Sequence, residues 1–86
     1  MNKTKKHKNL VKGWKNEKPG YHQRTVMFNK CGKKCFLGPK NSYPICKKNT
    51  CKISSKGVHA AYIRSRQYKR ANISRKAKHL IKIYNL

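Results

Sequence analysis

The chain has 86 residues, of which 24 are Lys or Arg and one is acidic, so its formal net charge is +23. A chain of this length forms one domain at most, with a small core to oppose repulsion among the basic side chains. With Glu17 as the only acidic residue, the sequence excludes paired-carboxylate glycosidases, carboxylate-held Mg²⁺ or Ca²⁺ sites and aspartic proteases. We therefore predict that the protein is not an enzyme, has no small-molecule substrate and binds a polyanion.

No apolar run reaches the ~18 residues of a membrane span, and no apolar segment follows the basic N-terminus. We predict neither a membrane span nor a secretory leader. The expected site of synthesis is the cytoplasm, a reducing compartment in which stable disulfides are uncommon.

Residues 1–23 are rich in lysine and poor in apolar side chains, with breaks at Gly13 and Pro19-Gly20. This composition is typical of an extended basic N-terminal arm. Trp14 has two interpretations: it stacks on a base or enters a pocket on a partner, or it folds back onto the small core. The arm residues that we expect to contact phosphate are Lys3, Lys5, Lys6, Lys8 and Lys12.

Residues 24–86 are predicted as a single small domain, whose first part, 24–56, carries the cysteines. β-Branched and aromatic residues predict a strand over 24–28. A hairpin is predicted over 35–46, because turn-forming residues occupy its middle. A further short extended piece at 50–53 would complete a meander.

Residues 57–86 contain two sets of apolar residues at helical spacing, which fall out of phase near Arg70. We predict two basic helices, with one long bent helix as the alternative. Ser54 or Ser55 is the expected N-cap of the first helix, and Asn72 that of the second. The predicted fold class is small α+β: a cysteine-stapled β-hairpin or meander followed by two basic C-terminal helices, preceded by the arm.

The four cysteines are Cys31, Cys35, Cys46 and Cys51, and two chemistries fit them. In the first, the hairpin pairs Cys35 with Cys46 across the turn and Cys31 with Cys51 outside them, provided that one bulged residue is accommodated. In the second, four thiolates bind Zn²⁺ and nearby lysines offset their charge. Spacings of three and four residues exceed the two of common zinc knuckles. The spacing and register favour disulfides, so no cofactor is predicted, with zinc at the same four cysteines as the alternative.

Basic side chains also surround the cysteines and cover the predicted helices, with no acidic residue among the helices to balance them. Because lysine greatly outnumbers arginine, we expect neutralisation of phosphates more than reading of bases. The remaining candidate nucleic-acid-binding residues are Lys33, Lys34, Arg64, Arg66, Lys69, Arg70, Arg75, Lys76 and Lys78.

Residues 30–84 resemble a family of small basic proteins from nucleocytoplasmic large DNA viruses. The resemblance is carried by the cysteine block, Lys30–Pro39, Ser42–Cys46 and Cys51–Ile53, and by Lys56–Tyr68 with its Gly-x-x-Ala-Ala-Tyr stretch. It implies a protein of the virion, made in the host cytoplasm. Such viruses carry their own thiol oxidation systems, which makes disulfides compatible with assembly in the cytosol.

Three functions are compatible with these features. The first is a virion protein that neutralises or packages viral DNA without sequence specificity. The second is a minor capsid or cement protein that binds acidic surfaces of larger capsid proteins. The third is a ribosomal or other RNA-binding protein with a zinc-ribbon-like element.

Overall fold

The computed structural model describes residues 10–86; the predicted phosphate-binding residues Lys3, Lys5, Lys6 and Lys8 lie outside them. The helices are α1 (Trp14–Glu17), α2 (Tyr21–Cys31), α3 (Ser55–Gln67) and α4 (Ala71–Ile83), and a 3₁₀ turn (Gly32–Cys35) follows α2. Within residues 10–86 no strand or sheet forms, and the extended segments meet only in isolated bridges. The predicted α+β class is therefore wrong, and the described chain is mostly helical with two disulfides.

The strand predicted at 24–28 lies inside α2. Met27 is 3% exposed and belongs to the core, and Cys31, one turn later, packs against the same core. This spacing of four residues defines a helical face. The Gln23 side-chain oxygen accepts a hydrogen bond from the Gly20 N–H (2.7 Å), which satisfies a donor at the start of the helix. The β-forming side chains lie on the outer face, where they do not decide the backbone conformation.

The turn predicted in the middle of 35–46 is present, but the flanking strands are not. Lys40 and Asn41 both have positive φ (55° and 60°), as in a type I′ hairpin turn. The antiparallel pairing is a single bridge between Phe36 and Pro44. The N–H groups of Leu37 and Ile45 donate to Tyr43 O (3.1 Å) and Cys35 O (2.8 Å) on either side of this bridge. The pairing does not continue as a strand toward the turn, because Tyr43 has a left-handed φ of 54°. The predicted piece at 50–53 likewise contributes one bridge, from Ile53 to Cys46.

Both disulfides of the nested arrangement form. Cys31 pairs with Cys51 (Cα–Cα 5.4 Å) and Cys35 pairs with Cys46 (Cα–Cα 5.0 Å). The inner pair is fully buried in the core, whereas the outer pair is half-buried. A cysteine in a disulfide has no thiolate to offer a zinc ion, and residues 10–86 contain no other cluster of metal-binding side chains. This pairing is the one that the register of the cysteines predicts.

The C-terminal segment forms two helices that pack against each other, α3 and α4. The Ser54 side chain caps α3 by accepting a hydrogen bond from the Gly57 N–H (3.4 Å), as predicted. The predicted cap of α4 is wrong, because the N-cap is Arg70 and Asn72 is the second helical residue. The central core consists of Met27, Cys35, Phe36, Ile45, Cys46, Val58, Ala61 and Ala77.

Trp14 packs onto the protein's own core, as in the second of its two interpretations. Its side chain is 8% exposed and lies over Gly57. A Cβ atom at Gly57 would lie 2.7 Å from the Trp14 ring and 2.9 Å from the backbone of Ile45. Gly57 is therefore required for close packing, and the packed body of the protein reaches back at least to Trp14.

The only acidic side chain connects α1 to α3. Glu17 accepts a hydrogen bond from the Lys56 ammonium group at 2.7 Å, with both side chains partly exposed. This hydrogen bond holds the pKa of Glu17 below its ordinary value of 4.5, and the charges of Lys56 and Lys47 act in the same direction. The ion pair is thus stabilising when Glu17 is ionised.

Replacing Glu17 by Gln tests this linkage. A carboxyl group whose pKa is lowered on folding stabilises the protein above its unfolded pKa, and the contribution is lost as the pH falls through the folded pKa. We expect the wild type to have the higher free energy of unfolding at pH 7, and the difference from E17Q to disappear well below pH 4.5. Urea unfolding of both proteins across this range measures the difference, because the two proteins differ only at residue 17. A difference that does not depend on pH would contradict the ion pair.

Candidate functional site

An open groove of about 1600 Å³ runs between the loop that follows α2 and the first turns of α4. We call it the basic groove, because none of its lining residues is acidic and seven are Lys or Arg. Glu17, with its partner Lys56, lies elsewhere. The basic residues are Lys33, Lys34 and Lys40 from the loop, Lys69 and Arg70 from the α3–α4 connection, and Arg75 and Lys76 from α4.

The disulfides fix one wall of the basic groove. Lys33 and Lys34 lie in the 3₁₀ turn between Cys31 and Cys35, and each of these cysteines is bonded to a different part of the chain. The backbone of the turn is therefore held in place relative to residues 46–51. The disulfides thus hold this wall in place, and the opposite wall is positioned by the packing of α4 against α3.

The other wall begins at an unusual helix end. The N–H of Lys69 donates to Arg66 O (3.2 Å) and that of Arg70 donates to Ser65 O (2.7 Å), which is the Schellman pattern at the end of α3. In this pattern the residue in the left-handed conformation is usually Gly, but here it is Lys69, with φ 55°. Lys40, across the basic groove, has the same φ. Both positions carry a charged residue where the backbone favours Gly or Asn.

The start of α4 adds further positive potential to the basic groove. Ala71 and Asn72 line it, and no side chain caps this end of the helix. The backbone N–H groups at the start of a helix have no partner within the helix, and the helix dipole is positive there. Seven cationic side chains and this helix end thus act on the same space.

Aromatic rings also line the basic groove. Phe36 is buried, and the Phe28 ring lies against it with centroids 6.3 Å apart. Phe28 is 38% exposed and Tyr84, just beyond α4, is 55% exposed. The basic groove therefore has accessible aromatic surface as well as charge.

The structure brings six of the predicted phosphate-binding residues together: Lys33, Lys34, Lys69, Arg70, Arg75 and Lys76. The other predicted residues within 10–86 lie apart. Arg64 lines a separate hollow of about 490 Å³, and Arg66 donates a hydrogen bond to the Tyr62 hydroxyl (3.0 Å). Lys12 and Lys78 are exposed and line neither the basic groove nor this hollow.

Four further residues line the basic groove that were not among those predicted for the site: Lys40, Phe28, Tyr84 and His79. The sequence could have indicated Lys40 as a site residue, because it belongs to the predicted turn beside the cysteines. The aromatic rings and His79 carry no local signal, since only the packing of α2 and α4 brings them to the same groove.

Comparisons with protein-family models, with curated proteins and with solved structures find no match to this chain. Within residues 10–86, no helix combines the length and the apolar character needed to cross a membrane. The geometry of the basic groove is therefore the main basis for a functional assignment.

Lys69 offers a test of the strained connection. Replacing it by Gly removes the charge and relieves the left-handed backbone, whereas replacing it by Gln removes only the charge. We expect K69G to be more stable than K69Q by about 1 kcal/mol, because a residue with a Cβ atom is disfavoured at this φ. Urea unfolding of the two variants measures the difference. Equal stabilities would mean that the left-handed conformation at Lys69 is not strained.

Proposed function

We propose that this protein is a non-enzymatic virion protein that binds nucleic acid through its phosphates, without sequence specificity, and so neutralises or packages viral DNA. The observation that carries the proposal is the convergence of seven Lys and Arg side chains on one groove without an acidic residue among them. A merely solvated surface normally mixes charges of both signs.

The chemistry of the basic groove suits a phosphate backbone. Arg70 and Arg75 can each hold two phosphate oxygens through their planar guanidinium groups, and the five lysines act as mobile point charges. Each phosphate that is neutralised releases counterions from the nucleic acid, and this release supplies affinity whatever the sequence. The net charge of +23 adds attraction at longer range.

The virion location is proposed from the resemblance of residues 30–84 to small basic proteins of nucleocytoplasmic large DNA viruses. A second candidate, a minor capsid or cement protein, is favoured by exposed apolar side chains at the end of α4. Ile83 is 55% exposed and Leu86 is 36% exposed. Apolar surface next to positive charge would also fit an acidic face of a larger capsid protein.

A pair of matched variants tests whether the basic groove binds nucleic acid. The variant K34Q/K76Q loses one charge from each wall of the groove, and K78Q/K82Q loses two exposed charges from outside it. Seven phosphate contacts predict that log K falls with log salt with a slope of about −6 on duplex DNA. We expect K34Q/K76Q to lower the steepness of this slope by about 2, and K78Q/K82Q to leave it nearly unchanged.

Anisotropy titrations with two duplexes of unrelated sequence, between about 50 and about 200 mM salt, provide the measurement. Both duplexes should lose affinity to the same extent as the salt concentration rises. Equal effects of the two variants would mean that the net charge, and not the groove, attracts DNA. Binding of an acidic polypeptide with no binding of DNA would favour the capsid candidate.

A further inference from the structure

A site that only neutralised phosphates would not need accessible aromatic rings, yet the basic groove has two. Phe28 projects from α2 and Tyr84 follows the end of α4, and they are 38% and 55% exposed. The Phe28 ring packs against the buried ring of Phe36. The two rings thus lie in the basic groove with its lysines and arginines, although Phe28 and Tyr84 are far apart in the chain.

Whether these rings can stack on bases depends on whether the nucleic acid is single-stranded or duplex. A duplex carries its phosphates on the outside and keeps the faces of its bases stacked inside, so rings in a recess reach only its backbone. A single strand can turn its bases toward the protein while its phosphates follow the charged walls. Aromatic rings beside a basic groove are the combination that binds single strands with little sequence preference.

We propose that the basic groove binds single-stranded nucleic acid in preference to duplex, with bases stacked on Phe28 and Tyr84 and phosphates held by its lysines and arginines. This inference rests on the proposed function and specifies the form of nucleic acid that the groove prefers. Charge complementarity selects a polyanion as the occupant, and the rings select one with unpaired bases.

The test compares ring variants with a matched control. Phe28→Leu and Tyr84→Leu keep an apolar side chain but remove the stacking ring. Tyr21→Leu is the control, because Tyr21 is on α2 like Phe28, is 82% exposed and does not line the groove. Tyr84 has no part in the buried core, so Y84L keeps the test valid even if F28L destabilises the protein.

The probes are an oligomer of about 20 thymidines, a duplex of the same length and a uridine oligomer that distinguishes RNA from DNA, all at one salt concentration. We expect the wild type to bind the single strands more tightly than the duplex. F28L and Y84L should each weaken single-strand binding by about five- to hundredfold, with much smaller effects on the duplex, and Y21L should change neither.

Equal binding of the duplex and the single strands, with no effect of the ring variants, would overturn this inference and leave the proposed function intact. Equal losses on the duplex and the single strands would also overturn it, because the rings would then be acting through the fold. Failure to bind any of the probes would overturn the proposed function as well.

Discussion

The buried disulfide between Cys35 and Cys46 is the link on which the rest of this small protein depends. It lies in the centre of the core and joins the turn after α2 to the segment that packs under α3. Closing a loop of this size contributes roughly 3 kcal/mol in the chain-entropy model. Small domains are stable by only ~5–15 kcal/mol, and here the net charge of +23 opposes compaction. With the outer disulfide, this link fixes the wall that carries Lys33 and Lys34, and the packing of α3 against α4 places the other wall opposite it.

The candidate function and the stability of the fold act against each other in the basic groove. Seven cationic side chains face the same space, and the single carboxylate is paired elsewhere with Lys56. Lys40 and Lys69 also occupy left-handed backbone positions in which Gly would be more stable. A bound polyanion would relieve the repulsion and stabilise the folded state.

The sequence was sufficient where local chemistry decides the structure, as with the turn around Lys40, the Ser54 cap and the register that pairs the cysteines. It failed where tertiary packing overrides propensity. Residues 24–28 are rich in β-forming side chains, but the burial of Met27 one turn before Cys31 selects a helix. The site was predictable only as charge. Its shape and its exposed rings depend on contacts between helices far apart in the chain, which no local pattern encodes.

NMR mapping of the binding surface tests most directly whether nucleic acid binds in the basic groove. Titration of ¹⁵N-labelled protein with a short thymidine oligomer should shift the backbone signals of residues 33–41 and 69–79 far more than those of other lysine-rich segments. The exposed lysines at 47, 48 and 52, outside the groove, provide the internal comparison. Shifts spread evenly over both regions, or concentrated at 47–52, would contradict the account.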